Sequence, residues 1–267
     1  MLALFPLSLI RRVTLVLCLG LGLGLGLGLA QGAAAQGLWL DMPPDPARAT
    51  ISATTDAGLR STRQLPTAAL RAARRAMLAG QWVDEATLRA LADRRDGTAA
   101  WNLVKRLRAQ QAPAAEIAHY AAITAGTGRV RGLAPMIAAM HRLTPDSVPP
   151  EDLRLLVNVL YAHAWAGNSL AMDGVIAFNG EGRLLGPMGA ATRTRLLQQG
   201  VRMDGRVELR LALDLLARDT PGAADLATAR SYLTQAAGSK TLAVAATAQN
   251  VIALLDAWAV QTNAPRN

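Results

Sequence analysis

The chain has one cysteine in 267 residues, Cys18, and it lies close to the start. Everything after it therefore lacks a disulfide, a thiol nucleophile and a thiolate metal site. Lysine is nearly absent as well, with Lys105 and Lys240 the only two. Aromatic residues make up 4% of the sequence. They are scattered at Trp39, Trp82, Trp101, Trp165, Trp258, Tyr120, Tyr161, Tyr232 and Phe178, which reads as core anchors and not as a platform for stacking bases. No Gly-x-Ser-x-Gly elbow, phosphate-cradling glycine loop, Ser-x-x-Lys or His-Glu-x-x-His pair is present. The three histidines, His119, His141 and His163, stand 22 residues apart on separate predicted helices, none with a second histidine or carboxylate at i, i+4. They read as packing residues, so no metal or other cofactor is expected.

Charge of both signs is also scarce at the N-terminus. Arg11 and Arg12 precede an apolar stretch from Val13 to about Ala30, followed by small residues at Ala33 and Ala35. That order predicts a secretory signal over 1–35, cut between Ala35 and Gln36. The stretch has enough residues to stay uncleaved as a membrane anchor, but the Leu-Gly alternation from Leu19 to Leu29 weakens its helix propensity. The arginine pair also fits a twin-arginine signal, although Ile10 and Thr14 suit an ordinary basic leader better. Leu17 before Cys18 is too bulky for a lipoprotein signal. No second apolar run long enough to span a bilayer is evident. The expected location is the bacterial periplasm, with any membrane attachment only through an uncleaved signal.

What the chain does have is arginine, unevenly placed. Residues 36–267 carry 26 basic and 19 acidic residues, a net +7. Within them, residues 60–142 hold 14 basic and 5 acidic residues, a net +9, so the remainder sums to −2. The basic residues gather at Arg71, Arg74 and Arg75, at Arg94 and Arg95, at Lys105, Arg106 and Arg108, and at Arg129 and Arg131. Stacked side by side, the helices that bear them would form one docking face for an acidic protein, or for anionic envelope polymer or lipid. Ordinary solvated charge, pointing in several directions, is the plainer alternative.

The rest of the sequence is punctuated helix. Residues 36–63, with Met42-Pro43-Pro44-Asp45-Pro46 and a Ser/Thr-rich stretch, predict a loosely structured lead-in to a helical domain over 64–267. Pro66 and Gly80 bracket a first helix, and Asp84 caps a second over 85–95. Further helices are predicted at about 98–110, 113–125, 133–142 and 151–166, separated by Pro113, Gly126, Gly128, Gly132, Pro149 and Pro150, the last stopped by Gly167. Four more are read at about 189–199, 204–218, 223–237 and 241–260. Trp101 sits mid-helix with Ala100 and Val104 and is expected to be buried. Arg210, Asp214 and Arg218 at i, i+4, i+8 predict a solvated ion-pair ladder. The stretch Val175-Ile176-Ala177-Phe178, Asn179-Gly180-Glu181-Gly182, Arg183-Leu184-Leu185 fits either a small β-hairpin near 175–185 or a glycine-rich loop between helices.

The fold class expected is all-α, an irregular α-solenoid of stacked antiparallel helix pairs. Two segments with similar character, 101–107 and 136–142, lie 35 residues apart. Asp96-Gly97-Thr98-Ala99-Ala100-Trp101-Asn102-Leu103 resembles the first helix of a tetratricopeptide-like repeat, and so does Ala246-Thr247-Ala248-Gln249-Asn250-Val251-Ile252-Ala253-Leu254-Leu255. Tyr232 followed by Ala236-Ala237 resembles the second helix of such a unit. The likeness covers three fragments within 96–260 and leaves out 151–220. It implies a right-handed helical solenoid whose concave face binds a peptide or protein.

Chemistry is sparse. Asp84-Glu85 and Glu151-Asp152 are adjacent carboxylates of the sort that could cut cell-wall glycans, yet each pair falls in a first helical turn, where acids suit the positive end of the dipole. The expectation is an exported, noncatalytic protein-protein interaction or scaffold protein whose partner is another envelope protein or an acidic surface. Nucleic acid is not expected. The alternatives are a cell-envelope hydrolase with an unrecognised site and an anionic-polymer or lipid-binding protein using the basic face.

Overall fold

A computed structural model describes residues 45–263 apart from residue 219. The signal expected over 1–35, its cut at Ala35 and Gln36, and the start of the lead-in to residue 44 lie outside the described residues. The fold is all-α. Twelve helices occur among the described residues: a single turn, α1 (Pro46–Ala49), then α2 (Ala68–Leu78), α3 (Glu85–Ala92), α4 (Gly97–Ala109), α5 (Ala114–Gly126), α6 (Leu133–Met140), α7 (Pro150–Ala166), α8 (Ser169–Phe178), α9 (Ala190–Gly200), α10 (Arg206–Leu216), α11 (Ala223–Ala237) and α12 (Leu242–Asn263).

Their boundaries follow from local chemistry. Thr67 accepts a hydrogen bond from Leu70 N–H and starts α2 two residues after the predicted Pro66. Asp84 caps α3 through Thr87 N–H at 2.9 Å. The Asp96-Gly97 break is itself a cap: Asp96 Oδ1 accepts from Thr98 N–H at 2.9 Å and from Ala99 N–H at 3.0 Å. Gly167, with φ +100°, ends α7 in the left-handed region, where a side chain would be strained.

Most helices pack on a neighbour in sequence (α3 on α4, α4 on α5, α5 on α6, α7 on α8, α9 on α10, α10 on α11 and α11 on α12), and several also on the next but one: α5 on α7, α7 on α9, α6 on α8, α8 on α10 and α10 on α12. That pattern places the helices in two rows. Two apolar cores result. The larger runs from Leu65 to Leu211 and is built largely of small residues and Leu. The smaller joins α10, α11 and α12 through Leu209, Leu213, Leu233, Val244 and Ala248. Tyr232 lies against both.

A β-hairpin over 175–185 does not form. Val175–Phe178 is instead the last turn of α8, and no strand occurs among the described residues. The reason is burial. Ala171, Met172, Gly174, Val175, Ile176, Ala177 and Phe178 are all buried, so the helix is apolar nearly all round and shows no helical period to read. Asn168 caps its start through Ala171 N–H at 3.0 Å. Only the turn of the expected hairpin is there: Leu185 N–H donates to Phe178 O at 2.9 Å and Gly180 N–H to Gly186 O at 2.7 Å. Arg183 folds back to donate to the Ile176, Ala177 and Asn179 carbonyls at 3.3 Å each, covering the end of α8.

Two members of the expected ladder, Arg210 and Asp214, are not solvated, whereas Arg218 is exposed and pairs with Asp225 at 2.8 Å. Arg206 bonds Asp173 of α8 at 2.6 Å, Arg210 approaches the same carboxylate at 3.6 Å, and Arg183 pairs with Asp214. These side chains are largely buried between α8, α10 and the 179–186 turn. Burial pushes the Asp214 carboxyl above its usual value, against the pull of Arg183, Arg218 and Arg193.

Residues 45–63 hold a defined course across the helices. Thr54 forms an isolated antiparallel bridge with Thr127. Thr55 and Asp56 N–H both donate to Gly126 O, at 2.9 and 3.0 Å, and Leu59 N–H to Arg95 O at 2.9 Å. Asn168 Nδ2 donates to the carbonyls of Ala49 and Ile51 at 2.9 and 2.8 Å. This segment carries no helical or strand pattern of its own because its partners are helix ends far along the chain. At the other terminus, residues 242–259 of α12 are long and apolar enough to cross a membrane by length and composition, contrary to the sequence expectation of no second such run. Thr247, Gln249, Asn250 and Asp256 break up the run to the eye, but Ala, Val and Leu dominate it.

Candidate binding face

The ten basic residues expected to form one ridge divide into three groups. Some are consumed inside the fold. Arg71 Nη1 donates to the Leu65 and Pro66 carbonyls at 2.7 and 3.3 Å. Arg74 donates from Nε to Asp96 Oδ2 at 2.6 Å, from Nη1 to Thr62 Oγ1 at 2.7 Å and from Nη2 to Leu59 O at 3.2 Å. Arg95 lies 3.6 Å from Asp56. A second group faces solvent away from any cluster: Arg75 and Arg94 are exposed on α2 and after α3. Arg106 stacks over Trp82, 5.4 Å from the ring centre, and its charge lowers the carboxyl values of Asp84 and Glu85 behind their hydrogen bonds to Thr87, Arg89 and Gln110.

The third group comes together. On α4, Trp101, Lys105 and Arg108 stand at i, i+4, i+7 and share one face, with Thr98 a turn before Trp101. Arg129 Nη2 donates to Thr98 Oγ1 at 3.0 Å. Arg131 lies over the Trp101 ring, 5.0 Å from its centre. Partial burial there, and the like charge of Arg129, pull the Arg131 guanidinium below its usual value. Lys105, Arg108 and Arg131 are exposed, and among the described residues none of the four cations forms an ion pair. From Thr98 to Arg108 the strip is about 15 Å long, at the rise of an α-helix.

Trp101 is therefore half-buried, not buried as its position in α4 suggested. Of the other described tryptophans, Trp82 and Trp258 depart from the expected role as core anchors, whereas Trp165 packs against the larger core. Trp82 is 78% exposed, Trp258 38%, and Trp165 is half-buried beneath Arg195 at 4.6 Å. An indole can cover one face with a guanidinium plane while its edge stays wet, and helical periodicity does not distinguish that from core burial.

Titratable groups meet in a second place that the sequence did not reveal. His119 Nδ1 of α5 is 2.7 Å from Asp152 Oδ1 of α7, both side chains about a quarter exposed. The His119 ring meets Tyr120 edge-on at 4.9 Å, and Tyr120 O–H donates to Asp93 Oδ1 at 3.1 Å. Burial, then the Asp93 charge, push the Tyr120 hydroxyl above its usual value. Arg89 pairs with Glu85 at 2.8 Å and with Glu116. No group of three or more His, Cys, Asp or Glu arranged for a metal ion occurs among the described residues. Asp152, read as a dipole-favoured acid in the first turn of α7, occupies that place and also meets the histidine 33 residues away. Nothing in the local spacing signals that pairing. No protein-family model, curated protein or solved structure matches the chain.

Proposed function

We propose that the chain is an exported, noncatalytic interaction protein of the bacterial periplasm or envelope, and that it docks an acidic protein surface through the strip on α4. The supporting observation is the gathering of Lys105, Arg108, Arg129 and Arg131 about Trp101 with no ion pair among them. A patch of one sign speeds encounter with the opposite sign and makes binding salt-sensitive, and an aromatic beside it adds contact area at small entropy cost. Screening acts within about 8 Å at physiological salt, so low and moderate salt must be compared. Labelled polyglutamate is the probe for an acidic protein, with anionic vesicles and lipopolysaccharide in parallel. Lys105→Glu with Arg108→Glu is expected to weaken polyglutamate binding at least tenfold at low salt, whereas Arg75→Glu with Arg94→Glu leaves it within twofold. Equal loss in both pairs would reduce the effect to net charge, and preferential binding to vesicles would move the partner to lipid.

The hydrolase alternative has one observation in its favour. A histidine whose Nδ1 is held by a carboxylate presents Nε2 as a base in a fixed direction. Asp152→Asn should abolish turnover of envelope glycan or peptide substrates if that pair is catalytic. Finding no turnover in the unaltered protein leaves the binding reading in place.

A further inference from the structure

His163 is fully buried on α7, and it bonds the N-terminal segment. Ala53 N–H donates to its Nδ1 at 3.3 Å, and its Nε2 lies 3.3 Å from Ala125 O. A backbone N–H can only donate and a carbonyl can only accept. The ring is therefore neutral, with its proton on Nε2 and its lone pair on Nδ1 toward Ala53. Addition of a proton would set Nδ1–H against Ala53 N–H and leave a charge in a site with no counter-ion. The N-terminal segment offers the backbones of Ile51 and Ala53, and its charged side chains are engaged elsewhere: Asp45 with Arg48 at 3.7 Å and Asp56 with Arg95 at 3.6 Å. The end of α5 offers Ala125 and Gly126, and the start of α8 the neutral Asn168 and Ser169.

We infer that residues 45–59 form a strap latched by neutral His163 and released when that ring takes up a proton. The strap suits release. Most of its other bonds are made by backbone groups and small polar side chains, such as Ser52 Oγ to Gly128 O at 2.9 Å and Ser169 Oγ to Asp45 O at 3.3 Å, with Arg74 on Leu59 O and Arg95 beside Asp56 holding its far end. It places no large side chain in the buried core, with Ile51 and Leu59 only half-buried. Burial holds the His163 ring below the ordinary histidine value of 6.5, against a smaller upward pull from the Ala125 and Ile51 carbonyls. The latch is thus complete above pH 6.5 and is lost as pH falls through the lower value of the folded ring. Release would bare the end of α5 beside Arg129, since Thr54 pairs with Thr127 and Gly126 accepts from Thr55 and Asp56.

Hydrogen exchange of the whole protein at pH 7.5 and 5.0, corrected for the intrinsic pH effect, tests this. The amides of Ala53, Thr55, Asp56 and Leu59 should exchange at least tenfold faster at pH 5.0, while those of α4 to α8 keep their protection. In His163→Gln, which cannot charge and still offers a donor and an acceptor, the strap amides should be indifferent to pH, although His119 and His141 remain. Strap protection unchanged with pH in the unaltered protein, or the same acid loss in the glutamine variant, would overturn the proposal. If that variant does not fold, the imidazole of His163 can be titrated by NMR in the unaltered chain. Ring protonation and strap release must then share a midpoint, and separate midpoints reject the latch.

Discussion

Arg74 shows how far a residue's role can lie from its appearance. In the sequence it is one of three arginines on an amphipathic helix. In the fold it satisfies Asp96, a carboxylate only 1% exposed that also caps α4. Removal of one partner from such a pair leaves an uncompensated buried charge, which costs about 3–5 kcal/mol. Arg74→Ala should accordingly lower the melting temperature far more than Arg75→Ala, its exposed neighbour, and equal melting curves would contradict the pairing. Trp101→Ala should fall short of the ~3–5 kcal/mol typical of a fully buried tryptophan, because part of its surface is already wet. The helix starting near residue 98 was legible, but neither the cap that Asp96 gives it nor the arginine that satisfies Asp96, 22 residues earlier, was, because long-range charge pairs leave no spacing signal.

Among the helices, legibility tracks amphipathicity and punctuation. α3, α4, α7 and α11 follow caps, prolines and glycines that can be read directly. α8 defied reading because a helix buried on nearly every side has no polar face to mark its period. The N-terminal strap failed for the opposite reason: beyond the capped turn α1, its order comes from partners at 74, 95, 126–128 and 163–169. The link between α9 and α10 shows a further device. Asp204, at φ 48°, accepts from Ser239 Oγ at 2.9 Å, Thr241 N–H at 2.8 Å and Thr241 Oγ–H at 3.1 Å, clamping the turn that leads into α12. Bonds from the Lys240 and Thr241 backbones, Ser239 and the Thr241 hydroxyl hold its carboxyl below the usual value. Its contribution is therefore full above pH 3.8 and lost as pH falls through the lower folded value. Asp204→Ala should raise hydrogen exchange in the first turn of α12 at neutral pH and leave α4 to α7 unchanged.

For the molecule as a whole, the two cores define two levels of cooperativity. The smaller one, under α10 to α12, is fed by few large side chains and meets the larger through Tyr232. Leu233 is fully buried in it. Leu233→Ala should cost about 2–5 kcal/mol by the usual cavity argument. That loss should appear first as exchange in α11 and α12, ahead of α4 to α8, and uniform exchange across all helices would mean a single cooperative unit. All-α architecture was legible from composition and punctuation. The strip around Trp101 was legible only in part, because its four cations were among the ten but nothing in the sequence separated them from the six that point elsewhere.

The course of the strap also has a consequence in time. A polypeptide emerges from the ribosome N-terminus first, and domains acquire structure in that order. Residues 45–59 are therefore made early, yet Asn168 and Ser169, which hold Ala49, Ile51 and Asp45, follow 117 to 124 residues later. Residues 45–51 must therefore wait through the synthesis of α2 to α7 before they can settle, although the partners of residues 54–59 at Arg95, Gly126 and Thr127 are made sooner. A nascent chain halted before residue 168 would carry residues 45–51 without their α8 partners, open to proteases and chaperones, and arrival of α8 would close them down.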